Sequence, residues 1–129
     1  MFEVIFYEKE NEEKPAEEFL CSLEPKMRAK LVGILNILQE KGNLLREPYS
    51  KHLEDGIFEV SGKVGNDISR ELYFFYIGEK IVLTNGFVKK TQKTPRKELE
   101  LAKKYREDYM RSNLVNSQEV FLKDFQTKG

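Results

Sequence analysis

At 129 residues and 15.2 kDa the chain has room for one domain built around one core. Hydrophobic residues make up 40% and aromatics 12%, too much apolar surface for a disordered chain, while 22 Lys+Arg balance 22 Asp+Glu to a formal net charge of zero. One His (His52) and one Cys (Cys21) rule out a Cys/His zinc site, a histidine-cluster metal hydrolase and an intrachain disulfide.

The first twenty residues are acidic, and no window approaches about 18 consecutive apolar residues. Neither a signal peptide nor a membrane span is expected, and a soluble, cytoplasmic protein is. A lone thiol fits that reducing compartment. Cys21 follows Phe19-Leu20 and is expected to be buried and inert. No D-x-D or E-x-K run stands at a strand end, so neither a metal nor an organic cofactor is expected.

In chain order, Phe2–Tyr7 is β-branched and aromatic and reads as a first, interior strand. Pro15 opens a helix through about Ser22, with Ala16, Phe19, Leu20 and Leu23 on its buried stripe. Pro25 opens a second, on which Met27, Leu31, Ile34, Leu35 and Leu38 keep the helical period and Gly42 is placed to end it. The period then changes. Residues 57–60, 68–77 and 80–88 are strand-like and joined by short connections, which favours an antiparallel meander. Thr94 is a natural N-cap for a last long helix, with Pro95 at N1 and Glu98 near N3. Leu99, Ala102, Tyr105 and Tyr109 form its apolar stripe, and a tail from 113 to 129 carries short-helix spacing over Ser117–Phe125. The order β-α-α-β-β-β-α describes an α+β fold: a small, mostly antiparallel sheet packed by a helical hairpin and a C-terminal helix.

The neutral total hides a gradient along the chain. Residues 1–24 carry a net −6, 25–86 a net +1, 87–111 a net +5 and 112–129 none. Such asymmetry signals an anionic partner for one surface. Basic residues interrupt the pattern at Lys51-His52, at Arg70 within an apolar strand, and along Lys89-Lys90-Thr91-Gln92-Lys93-Thr94-Pro95, where a strand hands over to the last helix. A meander can gather these on one face as a concave patch suited to RNA, with Tyr49 or Tyr73 available to stack a base. Arg70 is costly if buried without purpose, and a salt bridge to Glu59 across the sheet is the plain structural alternative.

The run Lys51-x-Leu53-x-x-Gly56-Ile57-Phe58-Glu59, the Arg70-x-x-Tyr73-Phe74 strand and Gly86-Phe87-Val88-Lys89-Lys90-Thr91-Gln92-Lys93-Thr94-Pro95, followed by Glu98 and Ala102, resemble the HigB-like branch of the RelE/ParE toxin superfamily, phage-derived toxin-like proteins. The similarity covers roughly residues 1–110, so a toxin domain over 1–112 and a tail over 113–129 are expected. The resemblance implies the toxin of a type II toxin–antitoxin system: a metal-independent mRNA endonuclease acting on ribosome-bound mRNA, inhibiting translation, and silenced in a hetero-oligomer by a HigA-like helix-turn-helix antitoxin. It implies catalytic roles for Arg70 as phosphate clamp, for Lys51 near the attacking hydroxyl and for Lys89 near the leaving oxygen. Lys90, Lys93, Lys63, Tyr73 and Arg96 are the expected RNA contacts. His52 is a second candidate base, because its ordinary pKa lies near ~6.5. Relatives commonly carry an arginine two positions beyond the glutamate of the Gly-Ile-Phe-Glu element; here that position is Ser61, with Lys63 as a possible substitute. Two alternatives stand beside this reading: a ParE-type gyrase poison without RNA cleavage, and an inactive RNA- or protein-binding module.

Overall fold

The computed structural model describes residues 1–128, with side chains through Asn113. Strand β1 (Glu3–Phe6) leads into helix α1 (Pro15–Ser22) and helix α2 (Pro25–Lys41), and a short 3-10 turn (Gly42–Leu44) follows. Strands β2 (Ser50–Glu54), β3 (Ile57–Val64), β4 (Asp67–Tyr76) and β5 (Lys80–Val88) then precede helix α3 (Arg96–Lys128). The five strands form one sheet in the order β1-β5-β4-β3-β2, antiparallel except for the parallel β1/β5 pair. This α+β arrangement is consistent with a RelE-like fold.

Side-chain alternation splits the sheet into two apolar faces. Val60, Tyr73, Ile81 and Leu83 pack under the α1/α2 hairpin, against Ala16, Leu20, Leu31, Ile34, Leu35 and Leu38. Leu72, Phe74, Val82 and Phe87 face α3 through Leu99 and Ala102. The stripe expected for α2 is the buried one, and Leu31 and Leu38 are wholly enclosed, each worth about 1.5–3 kcal/mol relative to exposure. Gly42 ends α2 with φ +54°, and the Phe2 ring lies where a β-carbon would project, so glycine is required twice over. Thr84 is a one-residue bulge in β5: Leu72 pairs with Asn85 and Tyr73 with Leu83, and the Thr84 hydroxyl donates to the Leu72 carbonyl at 3.2 Å. The bulge turns Gly86 toward α1, whose Phe19 ring fills the space of the missing side chain, and Phe87 toward α3.

Several expectations are corrected. β1 is an edge strand, not an interior one. Its apolar density arises because the hairpin and α3 cover both faces, while Gln39 of α2 accepts from the outward N–H groups of Phe2 (2.8 Å) and Val4 (3.2 Å). Lys51 and His52 lie in an additional strand, β2, that the polar sequence did not announce. Helix α3 starts one residue later than the Thr94 cap implies: the Pro95 carbonyl accepts from the Leu99 N–H, and the Thr94 hydroxyl is used elsewhere. It continues past Ser112 to Lys128, so no separate short helix begins at Ser117; side chains of that segment lie outside the described residues. Cys21 is exposed, because it falls off the α1 stripe carried by Ala16 and Leu20. No helix among the described residues is long and apolar enough to cross a membrane.

One core residue breaks the apolar rule. Glu71 is wholly buried on the hairpin face between Val60 and Gly86, and neither carboxyl oxygen has a partner among the described residues. Burial lifts its carboxyl well above the ordinary carboxylate range. The folded chain therefore holds a proton that the unfolded chain releases above about pH 4.3, and stability must fall as pH climbs from there toward the folded-state value. Glu71→Gln removes this term. Urea midpoints measured from pH 5 to 8.5 are expected to decline for the wild type relative to the variant; parallel curves would mean that Glu71 folds ionised.

Candidate functional site

Register places the basic interruptions on particular faces. Ser61, Arg70 and Phe87 are cross-strand partners on the α3 side, and Lys51, opposite Glu59, shares that side. Lys51 and Arg70, with Gln92, Lys93 and Thr94 of the loop before α3, border a cleft of about 470 Å³. Arg70 reaches it from β4.

Arg70 is held by a buried network. Its Nη1 donates to Glu59 Oε1, Thr94 Oγ1 donates to Glu59 Oε2 at 2.6 Å, and Nη1 lies 3.4 Å from Thr94 Oγ1. The Glu59 side chain is 2% exposed and that of Arg70 12%. The salt bridge across the sheet is therefore present, and it coexists with a place on the cleft wall: Nε is buried without a partner among the described residues, and Nη2 makes no hydrogen bond among them. A planar guanidinium fixed on one nitrogen offers the other in a set direction, a geometry suited to an anionic oxygen.

The remaining expected site residues separate into distinct places. Lys93 lines the cleft and is exposed, and neither it nor Lys51 forms an ion pair among the described residues. Lys89 and Lys90 border an adjoining shallow hollow that shares Thr91 and Gln92 with the cleft. Lys63 lies on the far side of Arg70, beyond the cleft. His52 also lines the cleft, but by alternation its ring turns to the opposite face from Lys51, where it meets Phe58 edge-on at 4.9 Å and its Nε2 accepts from the Gly56 N–H at 3.2 Å. Tyr73 cannot stack a base. It is 1% exposed under the hairpin, its hydroxyl shares a 2.5 Å hydrogen bond with Ser50, and burial pushes its pKa up to about 12. The exposed tyrosine is Tyr49.

Arg96 also lines the cleft, but acids engage its charge there. It pairs with Glu54 at 2.6 Å and Glu100 at 2.7 Å, and Lys103 holds the other Glu54 oxygen at 2.6 Å. These hydrogen bonds, that of Arg96 first, lower the Glu54 carboxyl to about 2 and raise Arg96, so the link from β2 to α3 persists across the physiological range. Arg106 pairs with Asp55 at 2.7 Å, and Arg111 with Glu107 at 3.4 Å. Two acids from outside the +5 segment, Glu54 and Asp55, thus offset part of its charge. Lys93 at the cleft, Lys89 and Lys90 beside it, and Lys97 and Lys104 on α3 are in no ion pair among the described residues.

Glu59 and Thr94 are the site residues that pattern alone undervalued. An acid in the apolar run Ile57–Val60 mirrors the arginine in β4, and that symmetry was the available signal. No group of three or more potential metal ligands occurs among the described residues.

A small sheet flanked by a helical hairpin and a long C-terminal helix, with a cationic cleft at the β2 end, is the plan of a RelE-type toxin-like domain. The family model described as Phage derived protein Gp49-like (DUF891) matches residues 18–107, and the chain belongs to this family, a toxin-like module of the RelE/ParE-like superfamily. No curated protein matches it.

Removing one member of a buried pair leaves an uncompensated charge. Glu59→Ala is expected to lower unfolding stability by about 3–5 kcal/mol. Arg96→Ala, which breaks an exposed pair, should leave the denaturation midpoint nearly unchanged. Chemical denaturation of the two variants checks this, and equal effects would show that Glu59 and Arg70 gain nothing from their burial together.

Proposed function

We propose that this protein is the toxin of a type II toxin–antitoxin system of the HigB-like kind, a metal-independent endonuclease of ribosome-bound mRNA that is held silent by a helix-turn-helix antitoxin. The observation that carries the reading is Arg70: a guanidinium fixed by Glu59 on a side chain that lines a cleft edged by Lys51 and Lys93, cations in no ion pair among the described residues.

The chemistry follows from the charges. The 2′-hydroxyl attacks the adjacent phosphorus, the O2′–P bond forms and the P–O5′ bond breaks, leaving a 2′,3′-cyclic phosphate and a 5′-hydroxyl. Negative charge grows on the non-bridging oxygens, where a fixed guanidinium is worth more in the transition state than in the ground state. Lys51 shares the Arg70 face and is the better-placed base. His52, turned to the other face, acts in packing. Lys93 stands on the loop wall to protonate the departing oxygen, while Lys89 and Lys90 hold the phosphates that follow. A chain of zero net charge attracts free RNA weakly at long range, which fits a substrate presented by the ribosome.

Expression without an antitoxin is expected to arrest growth and to cut translated transcripts. Lys51→Ala and Lys93→Ala, at exposed positions, should each lower cleavage about a hundredfold while the fold is retained, as monitored by circular dichroism. Arrest with intact transcripts and failed supercoiling would instead establish the gyrase-poison alternative. Folded protein without either effect would leave a binding module.

A further inference from the structure

The β3 edge is covered only in part. β2 pairs with β3 as far as Ser50 opposite Val60, and the Ser61 N–H then donates to the Tyr49 carbonyl at 3.1 Å. From Gly62 to Val64, β3 has β4 on one side and no strand on the other. There the chain preceding β2 turns away and leaves a hollow of about 560 Å³ between the β3 edge and α2. It is separate from the cleft, yet the two share one residue, Arg70.

The lining has a definite chemistry. Tyr49, 44% exposed, forms an aromatic wall with Ile34 and Ile68. Lys30 and Lys63 stand on its rim, both exposed and in no ion pair among the described residues, and no carboxylate lines it. An apolar wall holding an open aromatic ring, with cations and no acid around it, fits a flat ring carrying an anion. Stacking on Tyr49 recognises the flat group, and Lys30 and Lys63 recognise the charge. Arg70 supplies continuity, because its side chain lines both spaces. Ser61, the small cross-strand partner of Arg70, leaves that junction unfilled.

The geometry points to this hollow as a nucleotide-binding subsite, in which the base of a residue flanking the cleaved phosphate stacks on Tyr49 while Lys63 and Lys30 hold its phosphate. The inference rests on the reading of the cleft as an RNA site, and it makes Tyr49 and Lys63 determinants of which sequences are held.

NMR shift mapping of the full chain with a single-stranded RNA tetranucleotide tests it. Saturable shifts are expected at Tyr49, Ser61 and Lys63 as well as around Lys51 and Lys93. Tyr49→Ala should abolish the first group, keep the second and weaken binding about tenfold, whereas Tyr49→Phe restores both. The spectra themselves report that the fold is intact. Shifts confined to the Lys51–Lys93 cleft, or unchanged by Tyr49→Ala, would overturn the subsite and leave the RNA reading standing. An absence of shifts anywhere would overturn the subsite, while the RNA reading itself stands or falls on cleavage of translated transcripts.

Discussion

The buried contact between Glu59 and Arg70 joins three parts of the molecule whose relative placement defines the cleft. Glu59 comes from β3, Arg70 from β4, and Thr94, which donates to the second Glu59 oxygen, from the loop that enters α3. A buried ion pair is a poor source of net stability, since the desolvation of both charges offsets most of their attraction. Its value lies in direction. Once Glu59 is enclosed, its two oxygens must be satisfied, and the partners available fix both the guanidinium and the start of the loop. The capping position that Thr94 gives up is a modest local cost. In return the Lys89–Lys93 segment is anchored to the sheet rather than to its own helix.

The same economy of charge shapes the surface around it. Glu54 draws Arg96 and Lys103 to the end of β2, and Asp55 draws Arg106, so acids from the middle of the chain neutralise the helix that the linear gradient marked as basic. The cations in no ion pair among the described residues include Lys51 and Lys93 at the cleft, Lys89 and Lys90 beside it and Lys63 at the open edge of β3. A surface assembled this way is locally cationic on a neutral molecule. It suits a substrate delivered by another particle better than one captured from dilute solution.

Much of the architecture was legible because it rests on short-range physics. The stripe Met27–Leu38 has the helical period, Pro15 and Pro25 suit first turns, and Gly42 suits a left-handed terminus; all three features stand where the pattern puts them. Legibility failed where a residue answers to a distant partner. β2 reads as polar because it is an edge strand whose Lys51 and His52 face accessible surface, so alternation gave no signal. β1 reads as interior because both its faces are covered, and periodicity does not report whether a strand's sides are paired. Tyr73 carries an aromatic ring on a strand beside Arg70, but strand register sends it to the other face, where Ser50 takes its hydroxyl.

The sequence by itself determined the α+β class, the two proline-initiated helices, the antiparallel meander and the identity of the basic residues able to meet an anion, because each depends on neighbours within a few positions along the chain. Only the tertiary structure decided which of those cations are free. Arg96, Lys103 and Arg106 are cancelled by acids some 40 to 50 positions away in sequence, whereas Lys51, Lys63 and Lys93 are not. Electrostatic pairing acts through space at a few ångströms, so the zero net charge of the whole chain could be compatible with a cationic cleft only once the strands had set their register.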